Sequence, residues 1–99
     1  MITIHHKAIS DPKLKKLDTF KIGSWIYVED PSDEEINKLA EEFKLEDDLL
    51  KDALDPYEVP RVETEGRVVY VFTRVPFAEG DDAAQISSVP LLVVVGKDF

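Results

Sequence analysis

Asp47, Asp48, Asp52, Asp55 and Glu58 crowd one short stretch of the chain. Carboxylate oxygens are hard donors, the ligands that magnesium and calcium prefer. The stretch lacks the alternating acidic positions and the central glycine of an EF-hand loop, so it encodes no preformed calcium loop. Asp52 differs from the rest, because the helical period sets it one position from the apolar pair Leu49 and Ala53, near the end of a short helix. His5 and His6 supply nitrogen donors, but adjacent residues of a strand point to opposite faces, so they read as surface histidines and not as a joint metal site. Trp25 opens an apolar strand and is expected, with Phe72, in the core and not on a binding surface. The chain has no glycine-rich phosphate loop, no nucleophile elbow, no His-x-x-x-His pair and no cysteine, so thiol and common hydrolytic chemistries have no carrier. A non-enzyme is expected.

Composition sets the frame that must position these groups. A chain of 99 residues suits a single domain over residues 1–99 with a modest core, since small domains bury a smaller share of their surface. With 43% hydrophobic and 33% charged residues, and only four Gly and six Pro, it reads as globular. A formal net charge of -9 disfavours nucleic acid or an anionic lipid surface as the main partner, because both require a cationic face. Divalent cations or basic partners suit it better. The absence of cysteine fits a reducing compartment, and the cytoplasm is expected. The N-terminus lacks the pattern of a signal peptide. The longest aliphatic run, Leu91 to Val95, falls far short of the roughly 20 residues that cross a bilayer.

Alternation of Ile2 and Ile4 with Thr3 and His5 predicts a short strand. Leu14, Leu17 and Phe20 recur at a spacing of three, which predicts one or two helical turns against the core. Trp25 to Val28 reads as a strand that stops at Asp30-Pro31. Ser32 and Glu35 then form a capping box, and Ile36, Leu39, Ala40 and Phe43 follow with the spacing of one buried helix face. A second helix is predicted from Asp47 to Leu54, closed by Asp55-Pro56. Val59 to Glu63 reads as a strand, Thr64-Glu65-Gly66 as a tight turn, and Val68 to Val75 as a central strand. After a polar connection, 78–85, a last strand is predicted from Ile86 to Val95, with Pro90 marking an edge or a bulge. Gly96-Lys97-Asp98 reads as a hairpin turn, and Phe99 as the first residue of a returning strand whose remainder is expected in a longer chain.

Taken in order, Trp25-Ile26-Tyr27-Val28, Pro31-Ser32-Asp33-Glu34-Glu35, Leu39 to Leu45, Leu50-Lys51-Asp52-Ala53-Leu54, Pro60-Arg61-Val62-Glu63, Val69-Tyr70-Val71-Phe72 and Leu91 to Phe99 resemble the cytoplasmic N-terminal domain of CorA-type magnesium transporters. The resemblance extends over residues 24–99. It implies an α+β fold with α/β-like layers, a mixed sheet covered by helices. It also implies a place in a pentameric homo-oligomer at the cytoplasmic face of the cell membrane, whose intracellular funnel senses magnesium and gates a pore. The Gly-Met-Asn pore motif, the stalk helices and the membrane helices of the family are not in this sequence, so the chain reads as a truncated fragment. Membrane attachment is expected only through those absent helices.

The same resemblance implies a role for Asp52. In the family, an aspartate of the second helix, preceded by an acidic residue, helps to bind regulatory Mg2+ between subunits. Asp52 matches it, with Lys51 where relatives are often acidic, and the partner carboxylates are expected on stalk helices beyond Phe99. The expected function is the regulatory domain of a divalent-cation transporter; the alternative is a stand-alone acidic interaction module of the same fold.

Overall fold

The computed structural model describes residues 1–78 and 86–99. The elements run in the order β1 (Ile2–His6), β2 (Lys15–Leu17), β3 (Trp25–Val28), α1 (Asp33–Phe43), α2 (Asp47–Asp52), β4 (Arg61–Glu65), β5 (Val68–Ala78) and β6 (Ile86–Val95). The fold is α+β, as expected. Its strands form two antiparallel three-stranded sheets, ordered β2-β1-β3 and β4-β5-β6, in place of the single mixed sheet that the resemblance implied. The physical reason is connectivity: β4, β5 and β6 follow one another without a crossover helix, so neighbours pair antiparallel.

The first sheet pairs Ile4 with Ile26 and Ile2 with Val28. Period two therefore gathers Ile2, Ile4, Ile26 and Val28 on one face, which lies towards α1. Trp25 and Tyr27 have the opposite parity and point outward; Trp25 is 70% exposed. The core placement expected for Trp25 is thus corrected. Phe72 behaves as expected and is buried together with Tyr70 and Ile36. The segment around Leu17 is a short strand and not the expected helical turns, because Lys15, Lys16 and Leu17 pair with β1.

α1 begins as its sequence dictates. The Ser32 side chain accepts from the Glu35 backbone, and the Glu35 carboxylate accepts from Ser32 N–H at 3.0 Å. It ends at Lys44 in the left-handed conformation, φ 55°, and Leu45 N–H returns to the Ala40 carbonyl at 2.9 Å, a closure normally supplied by glycine. A groove of about 400 Å3 separates α1 from the first sheet, floored by Ile2, Ile4 and Ile26 and walled by Leu39 and Phe43. Phe43 meets Phe20 and Phe99 edge to face, with ring centroids 4.9 and 5.3 Å apart. The tail is tied back to the first sheet, where Gly23 N–H donates to the Asp98 carbonyl at 2.7 Å.

In the second sheet, β5 is central, as predicted, and β6 is an edge strand that carries Pro90 opposite Arg74. The β4–β5 turn is tighter than expected. Glu65 still pairs with Val68, so Gly66 and Arg67 alone make the loop, with Gly66 at φ 61°. The Tyr70 and Phe72 face turns towards the helices, and the Tyr70 hydroxyl accepts from Glu46 N–H at 3.0 Å at the start of α2. Among the described residues the other face stays open, with Val62, Leu91, Val93 and Val95 exposed. The expected connection over 78–85 lies, apart from Ala78, outside the described residues.

Candidate functional site

Asp52 is the last residue of α2, and Arg61 is the first of β4. The intervening loop turns back through Pro56 and Pro60, so the two side chains meet at the junction of helix and sheet. Arg61 Nη2 lies 2.8 Å from Asp52 Oδ2, Nη1 is bonded to Glu58 Oε1, and Nε stands 3.3 Å from Glu63 Oε1. The guanidinium also lies over the ring of Phe72, its cross-strand partner, with Cζ 4.1 Å from the ring centroid. A planar cation stacked on a buried ring and bonded along its edge is held more firmly than a flexible surface pair.

Glu58 is fixed from several sides. Its carboxylate also accepts from Val59 N–H at 3.1 Å, and its carbonyl accepts from Arg74 Nη1 at 2.9 Å. Arg74 in turn donates to the side chain and carbonyl of Ser88 on β6. The loop between α2 and β4 is therefore pinned to the second sheet by two arginines.

Of the five carboxylates singled out in the sequence, the structure brings only Asp52 and Glu58 together, through Arg61. Asp47 pairs with Lys51 at 3.6 Å along the helix, and Asp55 closes its own turn by accepting from Tyr57 N–H at 2.9 Å. Lys51 thus faces Asp47, and the cation bonded to Asp52 is Arg61. Among the described residues no set of three His, Asp or Glu side chains is grouped to hold a metal ion. His5 sits opposite Trp25, and His6 lies on the other face of β1. Arg61 was not foreseen as a partner of Asp52, nor Glu63 as a further partner of Arg61. A signal was present, since Arg61 is the only cation between Asp52 and Gly66.

Electrostatically, one guanidinium faces three carboxylates, which leaves the cluster negative overall. Asp52 keeps a 45% exposed side chain, so part of its carboxylate remains open to water. Arg61 engages Oδ2 of that carboxylate and leaves its other oxygen free of the arginine.

The family model for CorA-like Mg2+ transporter proteins matches residues 21–99. The chain belongs to the CorA-like Mg2+ transporter family. Among solved structures, it is similar to the complete structure of the CorA magnesium transporter from Methanocaldococcus jannaschii, with 22% sequence identity and a TM-score of 0.75. The match covers 99% of this chain and 30% of that one, so the CorA-like chain spans less than a third of that transporter's length. At this identity the likeness establishes a shared fold. No curated protein matches the chain. Among the described residues, no helix is long and apolar enough to cross a membrane.

Proposed function

We propose that this CorA-like chain is a cytoplasmic regulatory domain of a divalent-cation transporter, one that contributes to an intracellular funnel and to magnesium-dependent gating. The observation that carries the reading is the agreement of fold over nearly the whole chain with part of a magnesium transporter, joined to the family match. In this reading the partners are other subunits of a homo-oligomer, a pentamer, at the cytoplasmic face of the membrane. The ion is both cargo and signal. Asp52, exposed at the end of α2, contributes one oxygen ligand to a regulatory Mg2+ site completed by carboxylates of a neighbouring subunit. An ion that binds the closed assembly more tightly than the open one shifts the population towards closure.

Transport measured across a magnesium titration tests this. In the transporter carrying this domain, Asp52→Ala is expected to raise the Mg2+ concentration that suppresses transport. Lys51→Glu adds an oxygen donor and removes a cation, so it is expected to lower that concentration. Inhibition curves unchanged by both substitutions would place sensing outside α2.

A further inference from the structure

Charge is divided unevenly along the chain. Residues 1–29 hold five lysines against Asp11, Asp18 and Glu29, whereas residues 30–58, which contain both helices, hold twelve carboxylates against Lys38, Lys44 and Lys51. The first sheet keeps these two regions apart. Its inward face of Ile2, Ile4, Ile26 and Val28 lies towards α1, so the outward face looks away from the helices. There the pairing sets Lys16, His5 and Trp25 in one row across β2, β1 and β3, with Thr3 beside Tyr27 in the next. None of the five is acidic, and Glu29, the next residue of that parity, follows the end of β3. Trp25 is 70% exposed and Tyr27 44%. Broad aromatic side chains with a polar edge, set beside cations on an open sheet face, have the composition of a contact surface.

We infer that the outward face of the first sheet docks on the helices of a second copy of this chain, with Trp25 and Tyr27 at its centre and Lys16 meeting carboxylates of that copy's α1. This rests on the reading of the chain as one subunit of a homo-oligomer, and assigns the surfaces that join the subunits. Complementary charge selects the partner, because a cationic, aromatic face and a strongly acidic helix layer occur on the same molecule. Glu34 and Glu41 stand on the side of α1 away from the buried Ile36 and are exposed, open to such an approach. The two surfaces lie on opposite sides of the first sheet, so the contact is head to tail: a copy that docks leaves its own helices free for the next. Contacts of this kind close a ring where the rotation between copies permits.

Trp25 is the only tryptophan, so its fluorescence reports this face directly. The test uses a Val93→Lys background, in which a charge on the exposed side of β6 closes the apolar route to association. As protein concentration rises at low salt, Trp25 is expected to lose most of its quenching by acrylamide while sedimentation shows larger species. Raising salt from about 10 to about 100 mM, which shortens the screening length from about 30 to about 10 Å, is expected to weaken the contact several-fold, the reverse of an apolar association. Trp25→Ala, and separately Glu34→Lys with Glu41→Lys, each with its fold checked by circular dichroism, are expected to associate about tenfold more weakly on their own. Mixed, the two regain association, because the intact helices of the first receive the intact sheet face of the second, whose Trp25 becomes protected. A patch that pairs with itself cannot be rescued in this way. Association that leaves Trp25 open to acrylamide overturns this surface and leaves the homo-oligomer standing. Monomer at every concentration, with Trp25 open throughout, removes the contact, while the transport titration decides the regulatory reading independently. Protection of Trp25 that ignores concentration, or that only anionic phosphatidylglycerol vesicles produce, assigns the face to another cover and overturns the inference.

Discussion

Two aromatic side chains show how far parity decides the fate of a residue. Phe72 is buried on the helix-facing side of β5, whereas Trp25 lies on the outward face of the first sheet. Phe72→Ala is expected to cost on the order of 3 to 5 kcal/mol, with loss of both transfer free energy and the support under Arg61. Trp25→Ala, which removes an exposed side chain, is expected to stay within about 0.5 kcal/mol. Chemical denaturation of both variants checks the contrast; equal losses would mean that Trp25 is covered in solution. Residue type alone favours a buried tryptophan, and only the pairing of Ile4 with Ile26 reveals which face is inward. The same holds for Asp52. Its place at the end of a short helix was legible from spacing, but its bond to Arg61 depends on how the loop through Pro56 and Pro60 folds back, which no local periodicity records.

Elements with local stop and start signals were legible almost to the residue. The capping box at Ser32 and Glu35, the break at Asp55-Pro56 and the strand over 86–95 need no distant partner to be read. β2 was not legible, because its three residues become a strand only by pairing with β1. The start of α1 carries a pH dependence with a definite sign. The backbone hydrogen bond from Ser32, and then the N-terminal ammonium 3.2 Å away, hold the Glu35 carboxyl below its ordinary value. A depressed value in the folded state means that the stabilisation is fully present above the unfolded glutamate value of about 4.3 and is lost as pH falls through the lower folded value. Glu35→Gln is therefore expected to flatten the acid limb of a pH titration of helicity, while Ser32→Ala lowers stability by about 1 kcal/mol at neutral pH. Circular dichroism against pH and against denaturant measures the two effects. An acid limb unchanged in Glu35→Gln would assign it to other carboxylates.

At the scale of the molecule, the second sheet presents an open apolar face and an unpaired β6 edge among the described residues. Both features invite contact with another chain. Self-association that grows with concentration is expected. Salt should strengthen it, because screening weakens the repulsion between copies of charge -9. Val93→Lys, which sets a charge on that face, should weaken it. Light scattering that reports only monomer at every concentration and salt level would remove the idea. The separation of strands has a kinetic consequence as well. The strands of one sheet come from residues 2–28 and those of the other from 61–95, and no strand of the first pairs with one of the second. This separation confines each sheet to its own stretch of the chain. It also permits the two to open independently, as cooperative units of unequal free energy. β5, paired on both sides and carrying Tyr70 and Phe72, should hold its amide protons longest against solvent deuterium. The amides of β1 and β3 should exchange earlier and together, through a partial unfolding that leaves Arg61 seated between helix and sheet.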